Sequence, residues 1–81
     1  MGPRLIDARH VRDHVLRVAF DDGVSGEIDL AGELEGHMFE PLQDVEYFKR
    51  VRVDPSVHTV VWPNGADFAP EFVRDHLRVD A

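Results

Sequence analysis

Apolar and polar residues alternate along residues 15–30 in the pattern of an antiparallel β-hairpin. The segment Val15–Phe20 carries large apolar residues at every second position, which predicts a strand whose inward face is formed by Leu16, Val18 and Phe20. A turn is predicted at residues 21–23, because Gly23 accepts the positive φ that a reversing chain requires. Residues 24–30 alternate again, so a second strand returns with one face towards a core and one towards water. Its inward positions are Val24, Gly26, Ile28 and Leu30.

The same pattern predicts shorter elements on either side of this hairpin. Leu5–Arg12 is moderately apolar and predicts an edge strand, with one face made of Leu5, Asp7, Arg9 and Val11. Residues 31–42 are interrupted by glycine and proline, which indicates a turn of helix and a loop. Asp44 is placed to cap a short helix from Val45 to Arg50.

The last third of the chain predicts a second hairpin and a final helix. Arg50–Val53 alternates, residues 54–56 form a turn signal, and the β-branched and aromatic run Val57–Trp62 predicts the returning strand. Pro63, Asn64 and Gly65 close this unit, since Asn-Gly is a strong turn pair. A helix from Pro70 to about Leu77 follows, because proline suits the first helical position.

These elements predict an α+β fold with two antiparallel β-hairpins, an N-terminal strand, a short middle helix and a C-terminal helix. The 81 residues fit a single domain covering residues 1–81. A chain of this length is near the lower limit for a stable core, so pairing of two copies would add buried surface. The absence of cysteine excludes disulfides and thiolate metal sites. No run resembles a signal peptide or a membrane span, so we expect a cytoplasmic protein.

The net charge of -7 is distributed unevenly. Residues 1–20 sum to +2, residues 21–46 to -9 and residues 47–81 to zero, and no Lys or Arg occurs from Val18 to Phe48. This acidic stretch opposes direct binding of nucleic acid by that part of the chain, because phosphates would be repelled. It is either a solvated surface or a face that docks a basic partner. The candidate partner-binding residues are Asp21, Asp22, Glu27, Asp29, Glu33 and Glu35.

The sequence offers little for catalysis or for a cofactor. Ser25 and Ser56 lie on a predicted outward strand position and in a turn, where hydroxyls usually bond the local backbone. The five histidines are scattered and lack the spacing of a metal site, although His58 and Asp54 face each other across the second hairpin. No phosphate-binding or calcium-loop spacing occurs. We therefore expect a protein that is not an enzyme and that holds neither metal nor cofactor.

Two further features admit both a structural and a functional interpretation. Lys49, Arg50 and Arg52 form a compact basic group that could grip a phosphate, or could pair internally with the acidic hairpin. The segment Trp62–Asp67 is the most distinctive stretch of the chain. In the structural interpretation Trp62 anchors the core, Gly65 permits the turn and Asp67 bonds the turning backbone. In the functional interpretation Trp62, Pro63, Asn64, Gly65 and Asp67 contact a ligand.

The sequence resembles a small bacterial family known as domain of unknown function 2442. The resemblance runs over roughly residues 3–77 and includes residues 18–23 and 36–44, and its most specific part is the Trp-Pro-Asn-Gly-Ala-Asp run at 62–67. Family members usually carry Asp before the proline that opens the last helix, whereas this chain has Ala69. Loss of that cap is expected to weaken the helix by about 1 kcal/mol.

The resemblance implies a compact α+β domain with two hairpins and no assigned catalytic residues. Stand-alone members look like the second gene of a pair whose other product resembles a toxin. This implies a non-catalytic, antitoxin-like interaction or regulatory module, whose partner is encoded by a neighbouring gene. The alternative is an accessory nucleic-acid-binding regulator that uses Lys49, Arg50 and Arg52.

Overall fold

The computed structural model describes residues 2–80 and confirms an α+β fold. A four-stranded antiparallel sheet has the order β1-β2-β3-β6, and a separate two-stranded sheet is formed by β4 and β5. The elements in chain order are β1 (Leu5–Arg12), β2 (Val15–Phe20), β3 (Ser25–Asp29), two 3-10 turns (Ala31–Glu33 and Glu40–Gln43), α1 (Val45–Phe48), β4 (Arg52–Asp54), β5 (Thr59–Val61), α2 (Pro70–Asp75) and β6 (Arg78–Val79).

The first hairpin has the predicted strands, turn and inward face. β2 pairs with β3 from Val15↔Asp29 to Ala19↔Ser25, and Gly23 turns with φ +90°. The inward residues of β2 are almost completely buried, and Ile28 and Leu30 join them in one core. The period-two pattern therefore placed this ribbon correctly, because one face of it is buried and the other is not.

The predicted face of β1 is wrong beyond its first residue. Leu5 opposes Phe20 but Asp7 opposes Ala19, so Ile6 is an extra residue and forms a β-bulge. Ile6 is 59% exposed as a result, while Ala8 packs against the core in place of Asp7 and Arg9. A one-residue slip exchanges the two faces of a strand, which is why simple alternation failed here.

The second hairpin and both helices form where expected but are shorter. β4 pairs with β5, and the connecting loop extends to His58, which has φ +58°. The Asp44 side chain accepts a hydrogen bond from the Glu46 N–H, as the predicted cap of α1 requires. α2 ends at Asp75, and the N-cap residue that precedes it, Ala69, provides no side-chain hydrogen bond.

Strand β6 was not predicted. It pairs with the outer edge of β3 through Gly26↔Val79 and Glu27↔Arg78, and the Asp80 N–H bonds the Ser25 carbonyl at 3.0 Å. A Cβ on Gly26 would overlap the Arg78 carbonyl oxygen and lie 2.9 Å from the Val79 Cα. Gly26 is therefore required for the close approach of β6, not for a turn.

The core lies between the two sheets and the short helices. Trp62 is its largest buried side chain, at 1% exposure. Its ring lies 5.5 Å from that of Phe48 and 5.9 Å from that of Phe68, measured between centroids. Within residues 2–80 no helix has the length and apolar character that a membrane crossing requires.

Candidate functional site

The structure divides the six candidate acidic residues among different environments. Asp22 lies in the β2–β3 turn and accepts two hydrogen bonds from the Arg74 guanidinium, the shorter at 2.8 Å. These bonds hold the pKa of the Asp22 carboxyl below its usual range. Glu27 is half-buried and pairs with Arg12 at 3.3 Å and with Arg17 at 3.8 Å. The charges of Asp22 and Glu27 are thus compensated within the chain.

The other four acidic residues have fewer internal contacts. Asp21 lines a shallow groove with the N-terminal segment, and the Asp29 carboxylate accepts a hydrogen bond from the Ala31 N–H at 3.0 Å. Glu33 and Glu35 are exposed. Asp21 and Asp29 lie near opposite ends of the β2–β3 hairpin, so the six residues do not form one compact docking patch.

The Trp62–Asp67 segment has the structural role expected of Trp62 and Gly65. The Trp62 indole Nε1–H donates to the Phe48 carbonyl at 2.9 Å, and its backbone N–H bonds the Ala66 carbonyl at 2.9 Å. Gly65 has φ +90° and donates its N–H to the Trp62 carbonyl. The turn is therefore closed by backbone hydrogen bonds around a buried tryptophan.

The side chain that bonds the turning backbone is Asn64, not Asp67 as predicted. Its Oδ1 accepts from the Ala66 N–H at 3.0 Å, and its Nδ2 donates to the Met38 carbonyl at 2.9 Å. A carboxamide can do both because it carries a donor and an acceptor on one short side chain. Asp67 is exposed and is held instead by an isolated backbone bridge to Val61.

Asn64 joins two segments that carry the family resemblance, residues 36–44 and residues 62–67. We call the exposed residues of segments 35–41 and 63–67 the motif surface. Met38 is 46% exposed at this surface, and a Cβ on Gly65 would lie only 3.7 Å from the Met38 Cε. The exposed carboxylates of the motif surface are those of Glu35, Glu40 and Asp67.

The motif surface contains no lysine or arginine. Residues 18–48 lack both, and so do residues 53–73, which supply its second segment. The sequence showed the first gap but not that the fold brings a second one beside it. The motif surface thus carries an exposed methionine and three exposed carboxylates, a composition to which an apolar group with flanking positive charge could dock.

The basic group at 49–52 is paired locally. The Lys49 ammonium contacts Glu46 at 2.9 Å, and the Arg52 guanidinium contacts Asp54 at 3.9 Å. The Arg50 guanidinium lies 5.7 Å from the centre of the Tyr47 ring. The expected pairing with the acidic hairpin is wrong, because Lys49 and Arg52 contact Glu46 and Asp54, while Asp22 and Glu27 of the hairpin bind other arginines.

Sequence reasoning missed a row of arginines on the outer face of the four-stranded sheet. Strand register places Arg9 opposite Arg17, Arg17 opposite Glu27, and Glu27 opposite Arg78. Directly opposed residues share one face of a sheet, so these four side chains lie side by side. The strand alternation assigned Arg17 and Glu27 to the outer face, but only the complete strand order adds Arg9 and Arg78.

The described residues contain no group with the geometry of a metal centre. Residues 2–80 hold no cluster of three or more metal-ligating side chains. His58 and Asp54 meet through a backbone hydrogen bond, with the His58 N–H donating to the Asp54 carbonyl at 2.8 Å. The contact that the hairpin pattern indicated is therefore a turn contact.

Comparison with known proteins gives one match. The family model described as "Protein of unknown function (DUF2442)" matches residues 5–78, which include every element from β1 to the start of β6. No curated protein and no solved structure matches the chain. The family match confirms the resemblance seen in the sequence, and the chain belongs to the family of proteins of unknown function DUF2442.

Proposed function

We propose that this protein is a non-catalytic, antitoxin-like interaction module of the bacterial cytoplasm. Its partner is a small basic protein encoded by a neighbouring gene. The observation that carries the proposal is the motif surface, whose two segments carry exposed Met38 and three exposed carboxylates but no lysine or arginine.

The negative charge and the exposed apolar side chain both favour a protein partner at this surface. Opposite charge speeds the encounter of two proteins and makes the rate depend on salt. Methionine is a flexible apolar side chain that adapts to many partner surfaces, and an exposed one gains free energy when covered. Glu33 is exposed two residues before Glu35, the first residue of the motif surface, and adds a further negative charge. The remaining four candidate carboxylates contribute to the negative electrostatic field of the protein but not to the docking contact. They are those of Asp21, Asp22, Glu27 and Asp29.

Co-expression with the product of the neighbouring gene tests this function. We expect the two proteins to purify together at low salt and to separate as salt rises. Met38→Ala and Glu40→Lys should weaken the complex, whereas the matched controls Val57→Ala and Asp75→Lys should not, because those exposed residues lie outside the motif surface. Failure to purify together at low salt would refute the proposal.

The nucleic-acid alternative rests on Arg50, whose guanidinium over the Tyr47 ring offers a cationic stacking surface. Lys49 and Arg52 add less, because each contacts a carboxylate. A shift of labelled duplex DNA or RNA at low ionic strength that is lost in Arg50→Ala would support this alternative over the first.

A further inference from the structure

A cavity of about 210 Å³ opens on the outer face of the four-stranded sheet. Val15 lies on that face because it alternates with the buried Leu16, yet it is only 7% exposed. The cavity thus combines an apolar residue with charged walls. It is lined by Arg12, Val15, Glu27, Asp29, His76 and Arg78.

Both carboxylates of this cavity already have partners. Glu27 receives the guanidinium groups of Arg12 and Arg17, so its charge is compensated. The Asp29 carboxylate accepts the Ala31 N–H. The charge of Glu27 is therefore compensated within the chain, whereas Asp29 keeps one negative charge in the cavity wall.

The guanidinium donors of the cavity have fewer contacts within the chain than its carboxylates. Within residues 2–80, the Arg78 guanidinium has no hydrogen-bond or ion-pair partner, although register places it beside Glu27. Arg12 makes a single 3.3 Å contact with Glu27 and its side chain is 58% exposed, so several of its N–H groups still face solvent. Two guanidinium groups are thus available to a ligand at one site.

His76 is oriented by its neighbours. Its ring stacks on Phe72 with 4.1 Å between centroids, and Nδ1 lies 2.9 Å from the Phe72 carbonyl. Because a carbonyl oxygen can only accept, Nδ1 must carry the hydrogen. Nε2 is then left for a ligand: it accepts from a protonated phosphate oxygen, or donates when the ring is charged.

We propose that this cavity binds the phosphate group of a small molecule between Arg12, His76 and Arg78. Guanidinium groups bind phosphate oxygens through paired N–H donors, and the imidazole adds a contact for the remaining oxygen. Val15 offers an apolar contact to the carbon atoms that carry the phosphate. The site requires no protein partner, so it stands apart from the function proposed above.

Titration with inorganic phosphate, followed by amide chemical shifts at constant ionic strength, tests the site. We expect saturable shifts at residues 29, 76 and 78, with chloride as the reference anion. Arg78→Gln should abolish saturation, and Asp29→Asn should strengthen binding several-fold because it removes a negative charge from the wall. Arg9→Gln, an equal loss of charge on the same sheet face but outside the cavity, should leave the affinity unchanged.

Arg12→Gln provides a second variant, because Arg78→Gln could also release β6. It should weaken binding while the amide shifts of β6 stay in place. Shifts that do not saturate, or an equal effect of Arg9→Gln and Arg78→Gln, would overturn the proposal. So would a cavity that responds to guanidinium ions and not to phosphate.

Discussion

Replacing Gly26 by alanine tests how β6 is held on the sheet. The new Cβ would overlap the Arg78 carbonyl oxygen, and a backbone atom cannot move aside as a flexible side chain can. The sheet itself has no reason to distort, because Gly26 has an ordinary strand conformation. We therefore expect β6 to leave the edge of β3.

The magnitude follows from what β6 contributes. Its backbone pairs with residues 26 and 27 and the Asp80–Ser25 bond supply roughly three hydrogen bonds, worth about 1 kcal/mol each in net terms. The exposed ion pair between Arg17 and Asp80 adds at most about 1 kcal/mol. Release of residues 78–80 offsets part of this loss, because each residue regains backbone conformational entropy worth roughly 1 kcal/mol or more. Gly26→Ala should thus lower the free energy of unfolding by no more than about 2 kcal/mol.

Amide hydrogen exchange separates local release from global loss of stability. The Asp80 amide should lose its protection in Gly26→Ala, while amides of β2 remain protected. Gly32→Ala is the matched control, because no atom lies within 4 Å of a Cβ there and the free energy should change by less than about 0.5 kcal/mol. In a chain ending at Leu77 the Gly26→Ala change should have almost no effect. Retained protection of Asp80 in Gly26→Ala would refute this account of Gly26.

Three further substitutions have defined outcomes. The pKa of Asp22 is lower in the folded protein than in the unfolded chain. Its contact with Arg74 therefore stabilises the fold fully above about pH 4, near the pKa of the unfolded chain, and this stabilisation is lost as the pH falls through the pKa of the folded protein. Acid titration of Arg74→Gln should therefore show a smaller loss of stability than the parent protein. Trp62→Phe should cost about 2 to 4 kcal/mol in denaturant unfolding, because a cavity remains and the Phe48 carbonyl loses the indole donor, keeping only the Val51 N–H at 3.3 Å. His58→Gly should raise the melting temperature, since φ +58° costs a residue with a Cβ about 1 kcal/mol; a lower melting temperature would contradict this.

The first hairpin was predictable from sequence because burial of one face imposes the period of two. Leu16, Val18 and Phe20 had no other arrangement that removes all three from water. β6 has only two residues and both are exposed, so no periodicity marks it. The bulge at Ile6 could not be predicted either, because one added residue changes the strand register without changing the composition of the strand.

The candidate sites were less predictable than the fold. Asn64 bonds the backbone carbonyl of Met38. Because every residue has a backbone carbonyl, the residue type at position 38 does not indicate this hydrogen bond. Arg9, Arg17 and Arg78 are far apart in the chain and become neighbours only through the strand order. The acidic stretch was visible as charge, but its division between paired and unpaired carboxylates depends on which arginines the fold brings to it.

The hydrogen bonds of Asn64 also bear on how the protein ages. An asparagine followed by glycine is the pair most prone to deamidation, in which the glycine nitrogen attacks the side-chain carbonyl. Here the Gly65 N–H is engaged with the Trp62 carbonyl and the Asn64 Oδ1 with the Ala66 N–H, so the folded turn restrains both reactants. Conversion of Asn64 to aspartate would replace the donor to the Met38 carbonyl by an oxygen that cannot donate. The motif surface would then lose its internal link and gain a negative charge. Because the folded turn restrains the reaction, we expect Asn64 to deamidate mainly in unfolded chains.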